Sequence, residues 1–72
     1  MRRPEQALAI LEAMSEHSEG SFRAECLLEL ARCQRALGDL AGSGASYRAS
    51  IDAFVSAGER WEADFTASEA AI

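Results

Sequence analysis

Lysine is absent from this 72-residue chain: all seven bases are arginine, against twelve acids, and the formal charge is −5. Non-specific nucleic-acid binding needs a basic surface that displaces counterions, and this chain has none to offer. No stretch concentrates bases at the N-terminal face of a predicted helix, as sequence-specific DNA readers require. From Asp52 onward five acids stand with Arg60 as the single base, so that end repels phosphate backbones and anionic membranes. Long apolar runs are missing too. None approaches the roughly eighteen residues needed to span a bilayer, and Met1-Arg2-Arg3-Pro4 is not followed by a signal-peptide core. The expected location is cytoplasmic.

Cysteine is scarce as well. Cys26 and Cys33 lie seven apart on one predicted helix, roughly 10 Å along its axis and beyond disulfide reach. They share a face with Leu30 and Leu37, which reads as free thiols packed as small hydrophobes in a reducing compartment. His17 stands alone in a polar stretch, without a second ligand at metal spacing. A nucleophilic cysteine needs a base and an electropositive, exposed setting, and neither thiol has one. Glu12, Glu16 and Glu19 read as solvent-facing carboxylates rather than an acid–base pair. No enzymatic activity, metal or cofactor is expected.

Proline occurs once and glycine five times, aromatics make up 7%, and alanine fills fifteen positions. Alanine is the best helix former and proline the worst, so the fold class is all-α. Hydrophobic residues amount to 49% and charged ones to 26%, too apolar for disorder and enough for one small domain over 1–72. A chain this short buries only about 60% of its unfolded surface.

The organising stretch runs from Cys26 to Leu40. Apolar spacing and breakers predict helices over about 4–16, 22–37, 39–57 and 59–71. Pro4 suits a first helical position; Ala7, Leu8, Leu11 and Met14 then recur at helical spacing, with Ile10 beside them. Ser15 to Ser21 is read as a loop, with Ser21 capping the second helix. On that helix Phe22, Cys26, Leu27, Leu30, Ala31, Cys33 and Leu37 gather on one side, opposite Glu25, Glu29, Arg32 and Arg35 with Leu28 among them. Gly38 suits the left-handed residue that ends a helix, and Asp39 can cap the next. The third helix carries Leu40, Tyr47, Ile51, Phe54 and Val55. Gly38 to Gly44 lacks the strand and the Gly-Lys-Ser/Thr of a phosphate loop, so its small residues are read as allowing two helices to approach closely. Gly58 ends this helix, and Trp61, Phe65, Ser68 and Ile72 form one stripe on the fourth.

The chain also repeats itself. Leu11-Glu12-Ala13-Met14 corresponds to Ile51-Asp52-Ala53-Phe54 forty residues on, and Phe22-Arg23-Ala24-Glu25 to Trp61-Glu62-Ala63-Asp64 thirty-nine on. The hairpin between them resembles the tetratricopeptide repeat family over about Glu25 to Gly58. Leu27, Leu30 and Ala31 match its first-helix core, Gly38-Asp39-Leu40 its turn, and Tyr47 and Ile51 its second-helix core. Gln34 stands where the family usually has an aromatic, Ser43 and Ser50 replace its two alanines, and Val55 its closing proline. The period near forty, with Ala57-Gly58-Glu59-Arg60-Trp61-Glu62-Ala63, looks like the longer variant of large bacterial ATP-binding transcription activators.

That resemblance implies a fragment of an α-solenoid whose first helices line a groove for a protein or peptide partner. It places Glu25, Leu28, Arg32 and Arg35 on the groove side, where the arginines could meet a carboxylate and Leu28 could serve as an apolar anchor. The stripe of Trp61, Phe65 and Ile72 lies on a helix with no following mate, which makes it the expected oligomerisation surface. The structural alternative is a free-standing four-helix bundle that encloses Trp61 and Phe65, or a homodimer formed through the same ends.

Overall fold

The computed structural model describes residues 4–72; Met1 to Arg3, read above for a leader, lie outside them. Four helices follow one another, α1 Pro4–Glu16, α2 Gly20–Ala36, α3 Leu40–Ser56 and α4 Arg60–Ala70, and the described residues include no strand. Among the described residues no helix is long and apolar enough to cross a membrane. The expected loop at 15–21 shrinks to three residues. Ser15 belongs to α1, its hydroxyl donating to Glu12 O at 2.9 Å. Glu19 rather than Ser21 precedes α2, and it makes no side-chain cap.

The two later turns are built alike. Gly38 and Gly58 take φ of +83° and +77°, conformations that only glycine adopts without strain. After α2, Gly38 N–H donates to Arg35 O at 3.0 Å and Asp39 N–H to Gln34 O at 2.9 Å. After α3, Gly58 N–H donates to Val55 O at 3.0 Å and Glu59 N–H to Phe54 O at 2.9 Å. Both are Schellman closures, which satisfy the last helical carbonyls and reverse the chain within two residues. The turns differ at the next helix start. Asp39 Oδ1 accepts from Gly42 N–H at 3.0 Å, whereas Glu59 makes no cap and its Oε1 is buried without a partner.

Hydroxyls set the register between α2 and α3. Ser43 Oγ donates to Ala31 O at 2.9 Å and Ser50 Oγ to Ala24 O at 2.7 Å. The donors are seven apart in one direction and the acceptors seven apart in the other, which describes an antiparallel pair. Ala24 and Ala31 are fully buried, and side chains this small bring the helix axes close. Ser46 Oγ adds a bond to Gln34 Oε1 at 2.5 Å. The small-residue seam is therefore serine and alanine: of the stretch Gly38 to Gly44 it is Ser43 that meets α2, as its size allows, whereas Gly42 and Gly44 have no α2 atom near their Cβ positions. A Cβ on Gly42 would meet the Asp39 carboxylate at 2.2 Å, and one on Gly44 would meet nothing within 4 Å.

Each helix packs on the next in sequence, α2 on α3 most extensively, and no comparable packing joins α1 to α4 among the described residues. Ala24, Phe54 and Ala63 form a cluster across α2, α3 and α4, with Ile51 and Ala53 against it. Burying Phe54 stabilises this junction by about 1.5–3 kcal/mol. Cys26, Leu27, Leu30 and Tyr47 are buried as their spacing predicts, and Cys33 is half-buried. Phe22, Leu37, Leu40 and Val55, which the spacing places inward, are exposed. Three of these lie in the first or last turn of a helix and Leu37 is the C-cap of α2.

Candidate interaction surfaces

Glu25, Leu28, Arg32 and Arg35 share one side of α2, Glu25 and Arg32 exposed and Leu28 and Arg35 half-buried, and the two arginines are already engaged within the chain. Arg32 forms a fork on Glu69 of α4, with Nε to Oε2 at 2.8 Å and Nη2 to Oε1 at 2.6 Å. Its Nη1 reaches Glu29 Oε1 at 2.7 Å, one turn earlier on the same helix. Tyr47 of α3 donates its hydroxyl to Glu69 Oε2 at 2.7 Å. The Arg35 guanidinium lies 4.8 Å from the centre of the Tyr47 ring and donates to Glu69 O at 3.1 Å. Glu69 thus joins α2, α3 and α4 through one carboxylate.

Paired donors shift the protonation of the whole group. The Arg32 fork, with the Tyr47 hydroxyl adding to it, holds the Glu69 carboxyl at about 2, well below its ordinary 4.5. The hydrogen bond to Glu69 in turn pushes the Arg32 guanidinium up. Burial, then the bond to Glu69, raises the Tyr47 phenol. Sequence reading missed Glu69. A signal was available: thirty-nine residues earlier, at the equivalent repeat position, stands the buried Leu30, and a charge at an apolar repeat position needs a partner. Glu25 is exposed and Leu28 half-buried on the same side, clear of the ion pairs.

The second surface is α4. Trp61 is 74% exposed and Phe65 53% exposed, and their rings stack with centroids 5.8 Å apart. Trp61, Asp64, Phe65 and Ser68 line a shallow hollow of about 290 Å³. Ile72, the third residue expected on this stripe, lies beyond the end of α4 and is 97% exposed. The helix stops before the stripe reaches it. Ile10 and Met14 are likewise exposed on α1.

A larger groove of about 510 Å³ runs between the α1–α2 turn and the second half of α3, with Glu19, Arg23 and Asp52 among its walls. No three metal-ligating side chains come together among the described residues. No family model matches the chain, and no similar protein is found among curated sequences or solved structures.

Proposed function

We propose that this chain is a protein-interaction module, a tetratricopeptide-like hairpin of α2 and α3 flanked by two half-repeats, within a larger bacterial regulatory protein. One observation carries the reading: the Trp61–Phe65 stack lies open on α4. Covering an aromatic side chain stabilises a protein by about 1.5–3 kcal/mol, so an uncovered pair marks a surface that gains from a partner. Neighbour-to-neighbour helix packing supports the same reading, because it leaves α1 and α4 with one packed flank each. Leu28, with Glu25 beside it and the Arg32 and Arg35 side chains held in place by Glu69, supplies a second contact face on α2.

A photo-reactive phenylalanine placed at Leu28 or at Trp61, with one at Arg48 on the exposed side of α3 as control, tests this in cells. Covalent adducts with one identified protein at Leu28 and Trp61, and none at Arg48, are expected. Equal yields at all three positions, or none at any, would contradict an interaction role. The alternative, a small bundle acting as a homodimer, yields the chain cross-linked only to itself.

A further inference from the structure

We propose that the groove between the α1–α2 turn and α3 is a binding site for a basic α-amino acid, a ligand with one carboxylate and two cations. The groove holds about 510 Å³, within the roughly 300–1,000 Å³ typical of small-molecule sites. Three elements supply its charged walls: Glu19 from the turn, Arg23 from α2 and Asp52 from α3. It shares no residue with the α2 face of Glu25, Leu28, Arg32 and Arg35 or with the aromatic flank of α4, so it stands or falls apart from the interaction reading. Elsewhere in the chain an arginine within reach of carboxylates takes two at once, as Arg32 does. Arg23 forms no ion pair with Glu19 or Asp52 among the described residues, although all three face one hollow. A base and two acids held too far apart to meet leave room for a molecule that meets them all.

Charge then selects the ligand. Arg23 is the one base among the lining residues, and a guanidinium holds a carboxylate through two parallel N–H bonds. At the same end, α2 starts without a side-chain cap. Its first backbone bond runs from Arg23 N–H to Glu19 O at 3.4 Å, so the amides ahead of it add to the positive character there. Glu19 and Asp52 commit their carboxylates to no ion pair among the described residues, and Glu19 to no cap, so both are free to take cations. Two acids against one base leave the lining one negative charge in excess, and a ligand with two cations and one carboxylate balances it. A basic α-amino acid carries that set on a single short chain, and Ala49 and Ala53 on α3 offer its methylene stem an apolar floor. A diamine leaves Arg23 unused, and a phosphate ester meets two carboxylates that repel it.

The full chain, isotope-labelled and followed by amide NMR shifts, is titrated with three probes. These are L-arginine, agmatine, which lacks the carboxylate, and L-citrulline, whose side chain ends in a neutral urea. Saturable shifts of the Gly20, Ala53 and Ser56 amides are expected with L-arginine, and each of the other probes should bind roughly tenfold more weakly for its one lost charge contact. Agmatine carries the larger positive charge, so general attraction to a chain of −5 favours it. A preference for L-arginine over agmatine therefore has to come from Arg23, and Arg23→Gln should erase it. Asp52→Asn combined with Glu19→Gln should shrink the preference for L-arginine over L-citrulline. All three residues are exposed, and circular dichroism checks that the variants keep their helices. Agmatine or L-citrulline bound as tightly as L-arginine would overturn the proposal. So would a preference that survives Arg23→Gln, or the absence of saturable shifts at the groove.

Discussion

Glu69 joins three helices through one carboxylate, which bonds Arg32 of α2 and Tyr47 of α3. Its carboxylate is 19% exposed while its partner Arg32 is 42% exposed, so solvent screens the pair and it is worth about 1–2 kcal/mol rather than the full protonation shift. Glu69→Gln is expected to lower stability by that amount, read from thermal unfolding at pH 7. The carboxyl is held at about 2 in the folded chain against an ordinary 4.5, so the native state favours the charged form. That stabilisation is complete above about pH 5 and is lost as pH falls towards 2. The melting temperature of the Glu69→Gln variant should therefore drop less over this interval than that of the wild type; parallel curves would show that Glu69 does not hold the helices together. Ser50 makes a smaller case of the same kind. Ser50→Ala deletes a buried donor and is expected to cost about 1 kcal/mol, while Ser50→Leu overpacks a fully buried seam and costs more, about 1–3 kcal/mol. Residue roles were partly legible in the sequence. The helical wheel put Arg32 and Arg35 outward, but their partner lies on α4, 37 and 34 residues away, and helical periodicity carries no information across that separation. Ser43 and Ser50 were legible as small, not as donors to Ala31 and Ala24, because hydroxyl direction depends on a register that only the packed pair defines.

Among the helices, ends and breaks were the most legible features, for a physical reason: Gly38 and Gly58 stand where the backbone turns left-handed, and few other residues tolerate that. The two turns then diverge at Asp39 and Glu59, and that difference yields two predictions. Glu59→Asp shortens the side chain to the length that caps α3 at Asp39, and it removes the buried, unpaired Oε1. A gain of about 0.5–1 kcal/mol is expected by urea unfolding; a loss would show that Glu59 is held by something other than its cap position. Gly44 lies in mid-helix facing open space. Gly44→Ala is expected to stabilise by about 0.5–1 kcal/mol, checked the same way. Gly42→Ala is not, because its Cβ collides with the Asp39 carboxylate and displaces the cap. Composition marks both glycines as helix-weakening, but only the packed turn tells the tolerant one from the constrained one. The start of α2 was misplaced by two residues because a serine at the right place predicted a cap that the chain does not use.

The whole molecule is a slab, 34 × 27 × 19 Å, about two helix diameters in its thinnest direction. A body that thin encloses few side chains, and large apolar groups are exposed on all four helices, Ile10 and Met14 on α1, Phe22 on α2, Leu40 and Val55 on α3, and Trp61 and Phe65 on α4. All-helical character and four helices were legible from alanine, glycine and apolar spacing. Whether α4 closes back on α1 was not, since an amphipathic stripe reads the same whether a helix of the same chain or a partner covers it. An interaction role through α4 requires that its aromatic flank be open to a partner, and Trp61 reports on that flank without modification. The decisive experiment is acrylamide quenching of Trp61 in a sample shown by sedimentation to be monomeric and by circular dichroism to be helical. Quenching close to that of free tryptophan is the predicted result. A strongly protected Trp61 in a folded monomer would mean that the chain closes on itself, and would contradict an open docking flank.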